Sequence, residues 1–260
     1  MIPAREIREK ARLHGVPEST IERDYAQNWL LWALSGMEMA FKGGTCIKKL
    51  YIENYRFSDD LDFTLMRDTD RNGILYMVSD SVVRARNESG ISFLEEVKVD
   101  SNYNGFEVSV YFKMLWRGGS PMKIKLDITA PAGEEILLPL TEKKIMHPYS
   151  DGLNGAILAY SLEEIFSEKV RSLFERTRPR DLYDVRMLKE RVRMASVEEI
   201  LPAKFSNKGI EGNPSALMSK KEYFKNAWEA SLTHQIKELP DFEDVFKDVL
   251  TFLNEMNMGP

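Results

Sequence analysis

The feature that most constrains this chain is the run Asp60-Leu61-Asp62-Phe63-Thr64-Leu65, where two carboxylates stand two residues apart among apolar neighbours. On a β-strand such residues share a face, so Asp60 and Asp62 project together while Leu61, Phe63 and Leu65 enter a core. Facing carboxylates repel each other and call for a compensating cation; oxygen-only ligands suit Mg2+. Upstream, Gly43-Gly44-Thr45 lies between a strand candidate and a helix candidate. A glycine turn opening a helix offers backbone N–H groups to phosphate oxygens. The combination points to metal-dependent phosphoryl or nucleotidyl transfer.

Each piece has a plainer explanation when taken alone. The glycines could serve only a turn that needs positive φ, and Asp59-Asp60 could be a solvated turn with Asp62 on an exposed edge. A third observation is the run 122–129, where Ile124, Leu126 and Ile128 alternate with Lys123, Lys125 and Asp127. If that strand neighbours the first, Asp127 joins Asp60 and Asp62 as a third metal ligand. Two of the three carboxylates can bridge a pair of Mg2+ ions, one activating the attacking hydroxyl and the other steadying the triphosphate and the leaving pyrophosphate. Ser58 borders this group, and a phosphate added there would compete for the same cations.

At 260 residues, 43% hydrophobic and 30% charged, the chain can build a substantial core as one large domain or two small ones. No apolar run approaches the length of a membrane span. The start, Met1-Ile2-Pro3-Ala4-Arg5-Glu6, lacks the apolar stretch of a signal peptide. One cysteine excludes an intrachain disulfide, and three scattered histidines argue against a zinc site. The expected compartment is the cytoplasm. A net charge of −5 argues against a strongly basic nucleic-acid coat while leaving room for a local patch.

Periodicity predicts helices over 4–14 and 19–35, a short strand at Met39-Ala40-Phe41, a helix over Thr45–Tyr51 and a buried strand over Leu61–Leu65. A further helix is expected at 70–88, then strands at 92–99, 106–114 and 122–129. From about residue 160 the pattern is helical. Capping-box signatures predict helix starts at Ser161 with Glu164, Ser196 with Glu199 and Ser219 with Glu222, and the Gly/Asn/Pro-rich stretch 207–214 separates two helices. The expected fold class is α/β (α+β), a mixed sheet with helices over residues 1–155 followed by an all-helical domain over 156–260, with the boundary between 147 and 160.

The helical half carries a second constellation. Between Lys169 and Arg193 there are nine Lys/Arg against four Asp/Glu, a local +5 in an acidic protein. Such a surface can neutralise a triphosphate or an RNA backbone. Lys169 suits a point-charge contact to phosphate and Arg180 a forked one. A solvated amphipathic helix, with Asp181 stabilising its first turn, would account for the same residues.

Together these segments resemble the AbiEii/AbiGii toxin family of nucleotidyltransferases, which includes the MenT-type toxins. The pieces that carry the resemblance are Glu22-Arg23-Asp24-Tyr25, Phe41-Lys42-Gly43-Gly44-Thr45, Arg56-Phe57-Ser58-Asp59-Asp60-Leu61-Asp62, Lys125-Leu126-Asp127, Glu168-Lys169 and Arg180-Asp181-Leu182-Tyr183-Asp184. They fall in the family's order across residues 22–184. The resemblance implies a polymerase-β-like nucleotidyltransferase domain with a helical C-terminal domain. It also implies Mg2+-dependent transfer of a nucleotide from an NTP, tRNA as acceptor in the better-understood branch, and a cognate antitoxin. By position, Gly43, Gly44 and Thr45 would hold the triphosphate, and Asp60 and Asp62 would be catalytic metal ligands. Lys169 would contact the nucleotide phosphates, and Asp184, ahead of Asp181, would be a further catalytic polar residue. Cys46 departs from the small or apolar residues commoner at its position and is expected only to pack.

Two rival readings use the same residues. One keeps the chemistry but directs it to a small-molecule or protein hydroxyl. The other is a nucleotide-binding or interaction module without catalysis, against which the intact Asp60/Asp62 pair argues, since nothing structural needs two facing carboxylates.

Overall fold

The computed structural model describes residues 1–115 and 119–256. Its contacts divide the chain into two units, the first comprising residues 1–134 and 140–160, the second residues 135–139 and the chain from Ser161 onward.

The first unit opens with α1 (Ala4–His14) and α2 (Glu18–Leu34), followed by β1 (Met39–Lys42). A short helix, α3 (Gly43–Cys46), runs directly into a π-helical turn, Ile47–Tyr51. Then come β2 (Asp60–Leu65), α4 (Arg71–Ser89), β3 (Ser92–Asn102), β4 (Gly105–Lys113) and β5 (Met122–Thr129). Two short strands, β6 (Thr141–Lys144) and β7 (Ala156–Ala159), complete a seven-stranded mixed sheet in the order β3-β4-β5-β2-β1-β7-β6. β2 lies in its middle, parallel to β5 and antiparallel to β1. As the alternation predicts, Leu61, Phe63 and Leu65 are buried, packed in one core with Phe41, Val108, Val110, Ile124, Leu126 and Ile128.

Two elements escaped the sequence reading for local reasons. β6 reads Thr-Glu-Lys-Lys, a polar edge strand with no apolar face, and β7 is only four residues long. The single helix expected over Thr45–Tyr51 is instead α3 joined to the π-helical turn.

The predicted apolar stripe of α2 understates its burial: Glu22, Asp24, Gln27 and Asn28 are buried as well. Each has a partner, as buried polar groups require. Asp24 pairs with Lys49 at 2.7 Å, and Lys49 also donates to the Asp24 carbonyl at 2.8 Å. The Tyr149 hydroxyl donates to Asp24 at 2.7 Å, while Asn28 meets His147, which in turn bonds Asp151. These contacts tie α2 to the segment between β6 and β7. Burial pulls Lys49 down to about 8, against the opposing charge of Asp24. For Asp24 burial acts upward, but the charges of Lys49 and Lys48 and the hydrogen bonds from Lys49 and Tyr149 outweigh it and hold the carboxyl below its ordinary value.

The second unit contains α5 (Leu162–Glu175), α6 (Pro179–Leu188), α7 (Met194–Ser206), α8 (Pro214–Ser219), α9 (Lys221–Leu232) and α10 (Phe242–Glu255). Its core includes Ile165, Phe166, Leu182, Val185, Val249 and Leu253. Ser161 caps α5 as expected, accepting the Glu164 N–H. Glu164 does not reach back, because its carboxylate accepts the N–H groups of Leu137 and Leu138 and pairs with Lys204 at 2.7 Å. That interaction draws residues 135–139 into the helical unit. The other two caps are corrected by the structure. α7 already begins at Met194, which puts Ser196 inside its first turn, and Ser219 ends α8, its hydroxyl donating back to Ala216. Asn213 and Asp241 are the side-chain caps of α8 and α10.

The Asp24–Lys49 pair is the buried charge on which this packing rests. Lys49→Met should destabilise the protein by about 3–5 kcal/mol, since it leaves a buried carboxylate unpaired. Lys49→Met combined with Asp24→Leu should recover most of that loss; urea unfolding at neutral pH measures both.

Candidate active site

Residues directly opposite on paired strands project to the same face, and the register therefore assembles the site. Asp62 lies opposite Asp127 on β5 and opposite Lys42 on β1, and Asp127 lies opposite Glu107 on β4. A row Lys42–Asp62–Asp127–Glu107 thus crosses four strands. In the next row Asp60 stands opposite Lys125. Three adjacent carboxylates would destabilise the sheet, and the lysines offset them. The Lys125 ammonium lies 3.0 Å from Asp127 and 3.1 Å from Glu107. Burial tends to lower its pKa, but the hydrogen bonds to Asp127 and Glu107, with the charges of Asp127 and Asp60, raise it above the ordinary lysine value.

The glycines approach this row closely. Gly43 has φ +79°, and a Cβ placed on it would stand 2.2 Å from an Asp62 carboxylate oxygen. A Cβ on Gly44 would stand 2.7 Å from the guanidinium of Arg56, itself buried. Thr45 is fully buried, and its hydroxyl donates to the Asp60 carbonyl. That hydroxyl ties α3 to β2, so Thr45 has only its backbone N–H to offer a phosphate. Cys46 is buried and packs, with its thiol pushed up by burial.

The turn before β2 is held from α2. Gln27, fully buried, donates from its amide nitrogen to the Ser58 and Asp59 carbonyls at 3.1 and 2.9 Å, and Arg23 pairs with the Asp59 carboxylate. Residue type and spacing alone give no role to Gln27, Arg23, Arg56, Lys42 or Lys125. The spacing Lys125-x-Asp127 on an alternating strand was the one available signal for the last.

Among the described residues no three carboxylate, imidazole or thiolate groups form a ready-made metal cage. Mg2+ does not need one, since it takes one or two carboxylates, water and the substrate's own phosphates. Asp60 and Asp62, an oxygen-only pair on one face beside a backbone too close for any side chain, fit that mode. Asp127, anticipated as a third ligand, stands in the same row but is engaged by Lys125.

In the second unit Lys169 lies between two buried carboxylates, 2.8 Å from Asp181 and 2.9 Å from Asp184. Arg176 pairs with Asp181 from the other side at 2.8 Å. For Asp181 burial acts upward, but the charges and hydrogen bonds of Lys169 and Arg176 hold it well below the usual carboxylate range. The basic segment proves largely self-neutralised. Of the nine Lys/Arg between 169 and 193, Arg171 pairs with Glu175, Arg186 and Lys189 with Asp248, and Arg193 with Glu163, besides Lys169 and Arg176. Among the described residues Arg178, Arg180 and Arg191 have no carboxylate partner, and Arg191 donates to the Met187 carbonyl.

A mixed sheet carrying paired aspartates beside a glycine turn, with a helical unit after it, defines a nucleotidyltransferase-like protein. Comparison with solved structures agrees. MenT4, a nucleotidyltransferase toxin from Mycobacterium tuberculosis H37Rv, superposes with a TM-score of 0.70 at 19% identity, over 98% of this chain and 90% of that one. JHP933 from Helicobacter pylori gives 0.62 at 16% identity over 93% of both chains. A putative nucleotidyltransferase from H. pylori gives 0.61 at 14%, over 93% of this chain and 96% of its own. No curated protein sequence matches. Residues 29–252 match the family described as the nucleotidyl transferase AbiEii toxin of type IV toxin–antitoxin systems, and the chain belongs to that family. No helix among the described residues is long and apolar enough to cross a membrane.

Two outcomes test this geometry. Gly43→Ala should cost about 1–2 kcal/mol from its left-handed backbone alone and should displace the Asp62 carboxylate; urea unfolding and a crystal structure of the variant read the two effects. Asp181 has a folded pKa below its unfolded value near 3.8, so its contribution is present above that pH and is lost as pH falls through the folded value. Asp181→Asn should therefore be less stable than the parent at neutral pH, with the gap narrowing below about pH 4 in a pH series of urea melts.

Proposed function

We propose that this protein is an Mg2+-dependent nucleotidyltransferase that moves a nucleotide from an NTP to an RNA acceptor, tRNA foremost, and that a cognate antitoxin restrains it. The observation that carries the reading is the pair Asp60 and Asp62 on one face of β2, with Asp62 packed against the Gly43 backbone. In this reading the acceptor hydroxyl gives its proton to solvent, its oxygen bonds to the α-phosphorus, the α-phosphorus bond to the bridging oxygen breaks, and pyrophosphate leaves with that oxygen. Bound Mg2+ supplies charge neutralisation on the triphosphate and makes the acceptor hydroxyl easier to deprotonate.

The chain's own part is positioning. Asp60 and Asp62 orient the ion, and the backbone N–H groups of Gly43, Gly44 and Thr45 take triphosphate oxygens. From the helical unit, Lys169 and Arg180 contact nucleotide phosphates. Asp184 serves catalysis by holding the Lys169 ammonium, against which it is fully buried. The expected cytoplasmic site of action belongs to the same reading. A second reading, with a small-molecule or protein hydroxyl as acceptor, is favoured by one observation: the basic segment 169–193 is mostly neutralised within its own unit, leaving less positive surface than RNA would use.

The test is label transfer with each α-32P-labelled NTP, Mg2+ and total cellular RNA. The parent protein should label a tRNA-sized band, EDTA should abolish it, and Asp60→Asn should reduce it by at least about 100-fold, the scale of losing a main electrostatic group. Labelling of protein or of a small molecule instead would establish the second reading. Retained activity in Asp60→Asn would remove Asp60 from the mechanism.

A further inference from the structure

We infer that Lys125 is a built-in cation standing where a second metal ion would stand, so that the protein works with one divalent ion, on Asp60 and Asp62, and Asp127 is not a metal ligand. The inference rests on the nucleotidyl-transfer reading above and decides its metal stoichiometry.

The register is the starting point. Asp62, Asp127 and Glu107 form one row of three carboxylates across β2, β5 and β4. Only Asp62 has Asp60 beside it on its own strand. Asp127 has Lys125 there, two residues away on the same face, with its ammonium at hydrogen-bond distance from both Asp127 and Glu107. Lys125 also faces Asp60 across the strand pair. One ammonium therefore touches the two outer carboxylates of the row and adjoins the inner pair, as a second divalent ion would.

Charge favours this division. The Lys125 ammonium lies within 3.1 Å of both outer carboxylates and so relieves the repulsion between them directly. For Asp127 to ligate Mg2+ it would have to leave Lys125, stranding a half-buried ammonium with Glu107 alone, and bring two positive charges close together. Asp62 lies against the Gly43 backbone, with Asp60 on the same face of β2, where a phosphate could complete an ion's shell. Glu107 has a role here that its sequence context did not suggest: it is the second anchor of Lys125, and so a positioning residue.

Equilibrium dialysis of Mn2+ against the full chain, with a non-hydrolysable NTP analogue present, reads the number of bound ions without turnover. The parent protein should hold one Mn2+ beyond that taken up by analogue alone. Asp127→Ala should leave its affinity within about twofold, whereas Asp62→Asn should weaken it at least about tenfold, as disrupting the direct shell must exceed outer-shell effects. Lys125→Met should raise the count towards two, and combining it with Asp127→Ala should return it to one. Equal weakening in Asp127→Ala and Asp62→Asn would overturn the inference while leaving nucleotidyl transfer intact. So would two ions in the parent, or a count unchanged by Lys125→Met in a variant whose thermal unfolding is normal. If Lys125→Met fails to fold, the Asp127→Ala and Asp62→Asn comparison decides alone. No Mn2+ in the parent, or full binding in Asp62→Asn, would overturn both this inference and the metal-dependent reading beneath it.

Discussion

The structure of the first unit turns on a row of like charges in the middle of a sheet. Asp62, Asp127 and Glu107 stand side by side on three neighbouring strands, an arrangement that costs stability wherever it is not compensated. Lys42 at one end of the row and Lys125 just below it supply the compensation. Once the charges are fixed in this way, the remaining features follow. β2 must be central to have neighbours on both sides, its alternate residues must be apolar to hold it there, and the chain entering it must be anchored. Gln27 and Arg23 provide that anchor from a helix buried on most of its surface.

That helix explains why the first unit tolerates so many buried polar groups. α2 presents Asp24, Gln27 and Asn28 to the interior, and each finds a fixed partner in Lys49, the Ser58–Asp59 carbonyls or His147. The pairing is incomplete, since Gln27 Oε1 and Asn28 Oδ1 are buried with no hydrogen-bond partner among the described residues, but each bond that is made gains strength from its low-dielectric surroundings. Those bonds link α2 to the turn before β2 on one side and to the β6–β7 segment on the other.

The long alternating or apolar elements were legible from sequence because their periodicity comes from burial on one face. The strand beginning at Asp60, the strand over 122–129 and the helix over 4–14 needed nothing else. The π-helical turn after α3, the polar strand β6 and the four-residue β7 were not legible, since pairing rather than pattern makes them. At the site, the facing of Asp60 and Asp62 was legible from strand geometry, and the proximity of Asp127 followed once its strand was taken as a neighbour. What spacing could not give was occupancy: that Lys125 also takes Glu107 from the neighbouring strand, that the Thr45 hydroxyl is spent on Asp60, and that Gln27 reaches the acidic turn from a residue thirty-one positions before Ser58. Partner choice among polar groups is set by contacts between elements, which the spacing within one element does not carry.

The same distinction bears on the helical unit. A local excess of basic residues in sequence suggests a positive surface, yet in the fold charges are neutralised by whichever carboxylates the helices bring near. Asp248, some sixty residues downstream, takes both Arg186 and Lys189, while Glu163 takes Arg193. Lys169 is held by the two aspartates of α6. An ammonium fixed between buried carboxylates is a poor contributor to long-range attraction but a well-defined point of contact. The arginines at the start of α6, Arg178 and Arg180, have no such carboxylate partner among the described residues and retain the forked donors of a guanidinium. The positive charge left over in this unit is therefore a few placed donors rather than a broad field.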